Sequence, residues 1–353
     1  MNRKEIARET LDIMEKGYYE TQHKSIEIKA LQEHSIKESF LLTPEQGRIL
    51  LEQYDTPCPK SNTSAPSSKT VVRVWNCSTV DAILNLSQEL PRELPEESTK
   101  DLCHEELHPH AQSGIPGQEP WDKANPNPLL QPKAGAAKDV SACIPSPRGS
   151  SPIAVLNFAS AKNPGGGFIN GAMAQEESLA ASSCLYNTLI AHETYYKNNR
   201  ACNTMMYTNH AIYSPDVVFF RDGSFRLLEK PVTASVLTLP AVNMGQVLLK
   251  GEDAALAKQA MRERMKLALA IFASQKCSHL ILGAYGCGVF RNDPNEVAAW
   301  WQELLENHFP DIFRTVIFAV LDKSVSQSCI MPFQDIFPEI RSAAVIKTAI
   351  RKI

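Results

Sequence analysis

Residues 3–16 carry apolar side chains at helical spacing, and Gly17 follows them as a stop signal, which predicts an amphipathic helix. A second helix is predicted to begin after Thr43. Thr43 can cap that helix, Pro44 suits its first position, and Gln46 can reach back to the cap. The first part of the chain therefore reads as a helical extension.

From Val71 onward, short apolar runs alternate with longer segments of helical spacing. The apolar runs predict strands at 71–75, 153–158, 217–221, 233–239, 279–284 and 314–321. The other segments predict helices at 80–90, 176–191, 252–275 and 294–308. Strands that alternate with helices favour an α/β fold with a largely parallel sheet covered on both faces.

The segment 91–150 interrupts this pattern. It holds 10 of the chain's 23 prolines and few β-branched or aromatic residues, so it cannot bury enough surface to offset its ordering entropy. We expect a mostly disordered, proline-rich insert. The predicted organisation is an N-terminal helical extension at 1–70, one domain built from 71–90 and 151–340 around the insert, and a C-terminal tail at 341–353.

Composition narrows the possible partners and compartment. The net charge of −3 and pI near 6.3 argue against bulk attraction to nucleic acid, so no strong nucleic-acid binding is expected. The nine cysteines lack framework spacing, which favours reduced thiols. No apolar leader and no run of about 20 apolar residues is present, so we expect no membrane partner and an intracellular protein, cytoplasmic and/or nuclear.

A run of three glycines follows the predicted strand at 153–158. Because glycine lacks Cβ, the backbone at Gly165, Gly166 and Gly167 can take positive φ and press its N–H groups against a sugar or a pyrophosphate. Asn163 lies just ahead of these glycines, in an Asn-Pro pair that also suits a plain turn.

Gln175 and a pair of carboxylates follow the glycines after seven intervening residues. Glu176 and Glu177 are adjacent, so repulsion and burial could raise the pKa of one of them until it can donate a proton near neutrality. Gln175 precedes them. On the local pattern alone, an ordinary glycine turn before a helix whose first-turn acids complement the macrodipole is an equal alternative.

A second glycine loop lies between the predicted strand at 279–284 and the helix at 294–308. A strand, a glycine-rich turn and a helix N-terminus together suit a diphosphate, although the string alone also fits a plain turn. Gly288 is expected to approach the phosphates with positive φ. The candidate residues of this loop are Gly283, Gly286, Gly288, Val289 and Phe290.

The pentad from His104 to His108 matches the H-E-x-x-H zinc motif. Zinc histidines at this spacing need a stable helix, whereas Pro109 follows at once and the pentad lies in the proline-rich segment. We therefore predict no metal site.

Taken together, the runs NFASAKNPGGGFINGAMAQEES, YSPDVVFFRD and LGAYGCGVFRNDPNEVA resemble the microbial type of poly(ADP-ribose) glycohydrolase, a family with the macrodomain fold. The N-terminal helix and VWNCSTVDAI at 74–83 extend the resemblance over most of the chain apart from the insert and the extreme C-terminus. It implies a macrodomain-like three-layer α/β/α sandwich and a substrate that is poly(ADP-ribose) or an ADP-ribosylated protein.

The resemblance also implies the chemistry, which is hydrolysis of ribose–ribose O-glycosidic bonds with release of ADP-ribose. Glu177 would act as general acid and then as general base, while Glu176 and Gln175 position the acid and the ribose hydroxyls. One carboxyl group serves both halves of the reaction, so no metal or redox cofactor is expected.

Substrate contacts carry over in the same way. The two glycine loops would follow the distal ribose and the diphosphate, with Asn163 at a distal ribose hydroxyl and Phe290 over the distal nucleotide. Asn76 and Thr79, which could also cap the helix at 80–90 together with Ser78, would border the adenine.

Two other functions use the same loops. A non-catalytic ADP-ribose-binding macrodomain would not need the acids, so the intact Gln175, Glu176 and Glu177 argue against it. A hydrolase of mono-ADP-ribose on a protein or nucleic-acid end remains open, because the two substrates differ only in the proximal unit.

Overall fold

The computed structural model describes residues 2–55, 69–90, 145, 147–149 and 151–338. Its strands are β1 (Tyr18–Glu20), β2 (Ser25–Glu27), β3 (Phe40–Leu42), β4 (Val71–Trp75), β5 (Ile153–Phe158), β6 (Ala211–Arg221), β7 (Leu227–Leu239), β8 (His279–Leu282) and β9 (Thr315–Ala319). Its helices are α1 (Arg3–Lys16), α2 (Lys29–Glu38), α3 (Pro44–Glu52), α4 (Thr79–Glu89), α5 (Gln175–Ser182), α6 (Leu185–Ile190), α7 (Glu193–Ala201), α8 (Met244–Leu249), α9 (Ala254–Ser274), α10 (Pro294–Asn307) and α11 (Met331–Ile336).

A seven-stranded sheet flanked by helices organises the described residues, in the order β3-β6-β7-β5-β8-β9-β4. Neighbours from β7 to β4 are parallel, whereas β3, β6 and β7 pair antiparallel. The predicted α/β sandwich is confirmed. The expectation of a largely parallel sheet missed the β6–β7 hairpin, whose turn at 222–226 is too short for a crossover connection.

The predicted helix at 176–191 is two helices, α5 and α6. Ser183 between them has extended backbone, with φ −150° and ψ 177°, and forms an isolated antiparallel bridge to Phe219 of β6. Its hydroxyl donates to the Leu179 carbonyl and accepts from the Leu185 N–H. Pairing with the sheet thus replaces one helical turn, an effect that helical spacing alone does not reveal.

The N-terminal extension is not purely helical. It contains three short strands as well as three helices, and β3 pairs with β6 at the edge of the main sheet. The predicted end of α1 is confirmed, since Gly17 adopts φ 77° as its cap. The predicted capping box of α3, formed by Thr43 and Gln46, is also present.

Helix α1 is held against the elements that carry the carboxylates. The Thr10 hydroxyl donates to the Ala181 carbonyl at 2.7 Å, in a buried contact near the end of α5. Glu9 accepts from the buried Arg221 guanidinium at 2.6 Å. The N-terminal extension therefore supports the same helix that begins at Gln175.

Most of the predicted insert at 91–150, including the His104 to His108 pentad, lies outside the described residues. Near its end, Arg148 contacts the folded body through the Glu38 carboxylate at 2.5 Å and through the Gln275 side-chain oxygen. Within the described ranges, no group of His, Cys, Asp or Glu side chains is placed to hold a metal. In the same ranges, no helix combines the length and apolarity needed to cross a bilayer.

Gly283→Ala should destabilise the fold, because a Cβ at this position would lie 2.6 Å from the Ala319 carbonyl oxygen and 3.1 Å from Phe158 Cζ. We expect a loss of about 1–3 kcal/mol in the free energy of unfolding, typical of overpacking. Gly288→Ala is the matched control, since a Cβ there meets no heavy atom within 4 Å. Chemical denaturation compares the two variants, and equal stabilities would contradict the packing role of Gly283.

Candidate active site

A cavity of about 660 Å³ opens at the edge of the sheet where the parallel strands end. Its walls are the segments that follow β4, β5, β7, β8 and β9. The carboxyl ends of parallel strands meet at one edge, which is where open α/β sheets bind their ligands. The volume falls in the range of sites for nucleotide-sized molecules.

The cavity brings together most of the residues predicted from the sequence. Those that line it are Thr79, Asn163, Gly166, Gly167, Gln175, Glu176, Glu177, Gly286, Gly288, Val289 and Phe290. Three predicted residues, Asn76, Gly165 and Gly283, do not line it.

In the first glycine loop, Gly165 and Gly166 have φ of 65° and 61°, a region that favours glycine. A Cβ on Gly166 would lie 2.2 Å from Glu177 Oε1 and 3.2 Å from Glu176 Oε2, so both carboxylates lie against its bare backbone. Gly165 instead turns inward, where a Cβ would meet the Phe168 ring at 2.9 Å.

Glu177 is half-buried and both of its carboxylate oxygens accept backbone hydrogen bonds. Oε1 accepts from the Gly167 N–H at 2.9 Å and Oε2 from the Ala174 N–H at 3.0 Å. The second bond lies at the N-terminus of α5, so the acid also fulfils the ordinary capping role. Two donors fix the carboxylate in one orientation at the cavity wall.

Glu176 also lines the cavity, but it is only 3% exposed. Its Oε2 accepts from the Ser160 N–H at 2.7 Å and its Oε1 from Asn157 Nδ2 at 3.2 Å. Burial raises the pKa of Glu176 to about 8, and these hydrogen bonds oppose the shift while Glu177 adds to it. The raised pKa expected within the pair therefore belongs to Glu176, where burial favours the protonated form.

The side chain of Gln175 ties α5 to the end of β5. Its Oε1 accepts from the Phe158 N–H at 2.9 Å, and its Nε2 donates to the Leu156 carbonyl at 2.9 Å and to the Thr79 hydroxyl at 3.3 Å. Gln175 thus places the first turn of α5 relative to two strand ends.

Asn76 joins two loops below the cavity instead of facing it. Its Nδ2 donates to the Asp322 carbonyl and its Oδ1 accepts from the Asp322 N–H, both at 3.0 Å. The capping role proposed for this region belongs to Ser78, whose hydroxyl accepts from the Asp81 N–H. Thr79 is the polar group of the turn that lines the cavity together with Ser78.

We expected positive φ at Gly288 in the second glycine loop. The structure instead has positive φ at Gly286, with φ 74°. A Cβ on Gly286 would lie 2.6 Å from Asn292 Nδ2. Gly288 and Val289 project into open space, and Val289 is 83% exposed. Gly283 serves the close packing of β8 on β9 described above.

The N–H groups of Gly288, Val289 and Phe290 donate no hydrogen bond to any part of the chain that the structure describes. Three consecutive backbone N–H groups at the cavity are therefore free to bind an anion. The ring of Phe290, which lines the cavity, lies 6.1 Å from that of Tyr207.

Sequence reasoning missed several residues of the site. Ser160 follows β5 at the carboxyl edge of the sheet, a position that could have identified it. The cavity residues at the end of β9 and in the loop after it were missed in the same way: Ala319, Val320, Leu321 and Cys329. Asp322 holds this last loop by accepting from the N–H groups of Ser324 and Cys329. Asn157 had no sequence signal, because its role depends on how α5 packs on β5.

Comparison with known proteins matches this chain to the family described as microbial-type PARG, catalytic domain, over residues 7–97 and 135–222. The crystal structure of poly(ADP-ribose) glycohydrolase from Thermomonospora curvata is 29% identical, with a TM-score of 0.73, covering 95% of this chain and 99% of that one. The same enzyme bound to the inhibitor ADP-HPD is 28% identical, with a TM-score of 0.71, covering 94% and 98%.

The poly(ADP-ribose) glycohydrolase from Deinococcus radiodurans in complex with ADP-ribose is 31% identical, with a TM-score of 0.65, covering 89% of this chain and all of that one. Comparison with curated proteins gave no match. The family match spans half of the chain, and the central sheet flanked by helices matches the solved structures. The chain belongs to the microbial-type poly(ADP-ribose) glycohydrolase family.

Proposed function

We propose that this protein is a poly(ADP-ribose) glycohydrolase that cleaves ribose–ribose O-glycosidic bonds and releases ADP-ribose. The observation that carries the proposal is the Glu177 carboxylate, fixed by two backbone donors at the wall of a cavity bounded by two glycine loops. A binding module would not require this acid. The similar structures, one with ADP-ribose and one with an inhibitor, support the same substrate class.

We place the diphosphate at the second glycine loop, where the three free N–H groups from Gly288 to Phe290 offer fixed positive dipoles to an anion. The distal ribose then lies toward Glu177 and Asn163, and the adenine toward Thr79 and the loop after β9. This orientation brings the glycosidic bond to the carboxylate.

In the proposed reaction, Glu177 protonates the departing 2′-oxygen while the glycosidic carbon gains oxocarbenium character. The resulting carboxylate removes a proton from the attacking water, which restores the acid. Glu176 and Gln175 position Glu177, since their side-chain atoms are already bonded to protein groups around β5.

Glu177→Gln should abolish polymer hydrolysis and leave ADP-ribose affinity within about tenfold of the wild type, because the lost proton acts only in the transition state. Release of ADP-ribose from purified polymer and calorimetric titration with ADP-ribose measure the two quantities. Near-normal turnover by a folded variant would remove Glu177 from the catalytic role.

Glu176→Gln should change how stability depends on pH. The folded wild type holds a proton on Glu176 up to about pH 8, whereas an ordinary glutamate releases it near 4.5. The associated stability is complete below about pH 4.5 and is lost progressively as pH rises toward 8. The neutral variant lacks this titration, so its melting temperature should fall less than that of the wild type between about pH 6 and pH 9. If the melting temperatures of the variant and the wild type fall equally with pH across that range, Glu176 is not the protonated acid.

Gly288→Val should separate ligand binding from folding. A side chain at this position has open space in the free protein, so the melting temperature should stay within about 2 °C of the wild type. The branched side chain would obstruct the three free N–H groups, and ADP-ribose affinity should fall at least about tenfold. Titration of the folded variant with ADP-ribose tests this, and unchanged affinity would exclude the second glycine loop from the site.

A further inference from the structure

Arg264 on α9 is a buried cation without a carboxylate partner. It is 2% exposed, and no acidic side chain of the described residues forms an ion pair with it. The other buried cations differ, since Arg221 pairs with Glu9 and Lys266 with Asp55. Burying a charge is costly unless an opposite charge or several hydrogen bonds compensate it, so an unpaired guanidinium requires an explanation.

The hydrogen bonds of Arg264 go only to neutral oxygens. Its Nη1 donates to the carbonyls of Met206 at 2.7 Å and Pro240 at 2.9 Å, and its Nε donates to Asn209 Oδ1 at 3.0 Å. These dipoles hold the guanidinium in place and leave its net positive charge uncancelled. Burial lowers the pKa of Arg264, but arginine remains protonated in proteins.

Arg264 binds the backbone segment that lines the cavity beside the second glycine loop. Pro240, which binds Arg264, precedes Ala241, and Ala241 lines the cavity. Asn292 then joins this segment to the loop, because its Nδ2 donates both to the Val242 carbonyl at 2.8 Å and to the Gly286 carbonyl at 3.0 Å. Hydrogen bonds therefore connect Arg264, through the segment 240–242 and Asn292, to the loop that carries the free N–H groups.

We propose that Arg264 is a positioning residue for the diphosphate, whose two negative charges supply the counter-charge that the folded chain leaves out. This inference rests on the proposed function. Arg264 acts through the wall at 240–242, without touching the ligand, and its field is weakly screened because protein and not water fills the gap. The same residue would favour diphosphate-containing ligands over uncharged nucleosides.

The test compares R264K with R264Q, which lose similar hydrogen bonds and differ in charge. Calorimetric titration with ADP-ribose and with adenosine is carried out on the full chain. We expect R264K to bind ADP-ribose within about threefold of the wild type and R264Q at least about tenfold more weakly, while both bind adenosine alike. Equal ADP-ribose affinities of the two variants, or parallel losses for both ligands, would overturn the proposal.

A second neutral variant, R264M, replaces R264Q if the latter does not fold. Unfolding of both neutral variants at saturating ADP-ribose, with R264K folded, would make the charge a folding requirement and would also contradict the proposal. A wild type that binds adenosine but not ADP-ribose has a different meaning, because it would refute the proposed function itself before any variant is compared.

Discussion

The site depends on the contact between the bare backbone of Gly166 and the two carboxylates of α5. A methyl group on Gly166 would overlap Glu177 Oε1, and its φ of 61° further disfavours any other residue. Because the loop can approach so closely, the N–H of Gly167 reaches Glu177 and fixes the acid at the cavity wall. The glycine loop and the acids are therefore one unit, joined to β5 by Gln175 and supported from behind by α1.

Glu176 and Glu177 are adjacent in sequence but differ in burial. Successive residues of a helix point about 100° apart, so both acids line the cavity while Glu176 is almost fully buried and Glu177 is only half-buried. Burial favours the protonated form of Glu176, whose oxygens accept from the Ser160 N–H and from Asn157 Nδ2. In the proposed site, Arg264 likewise acts through the segment 240–242, and the backbone N–H groups of the second glycine loop contact the ligand.

Local sequence signals predicted the parts of the fold that are set locally. The caps at Gly17 and Thr43 and the strand at 153–158 follow from residue chemistry and periodicity, and both glycine loops lie at the cavity as expected. Features set by distant contacts were missed. Ser183 is not helical because its backbone pairs with that of Phe219. Asn76 does not line the cavity because its side-chain amide is hydrogen-bonded to the backbone carbonyl and N–H of Asp322. Gly283 was predicted to contact the ligand, but its lack of a side chain instead allows the Ala319 carbonyl of β9 to pack against it.

The most direct test of the account is the release of free ADP-ribose by the wild-type protein from purified poly(ADP-ribose), compared with release from a mono-ADP-ribosylated protein under the same conditions. We expect rapid release from the polymer and little from the single unit, because the scissile bond presented to Glu177 joins two riboses. Release only from the mono-ADP-ribosylated protein would assign the acid to a different substrate. Tight binding of ADP-ribose with no release from either substrate would contradict catalysis altogether.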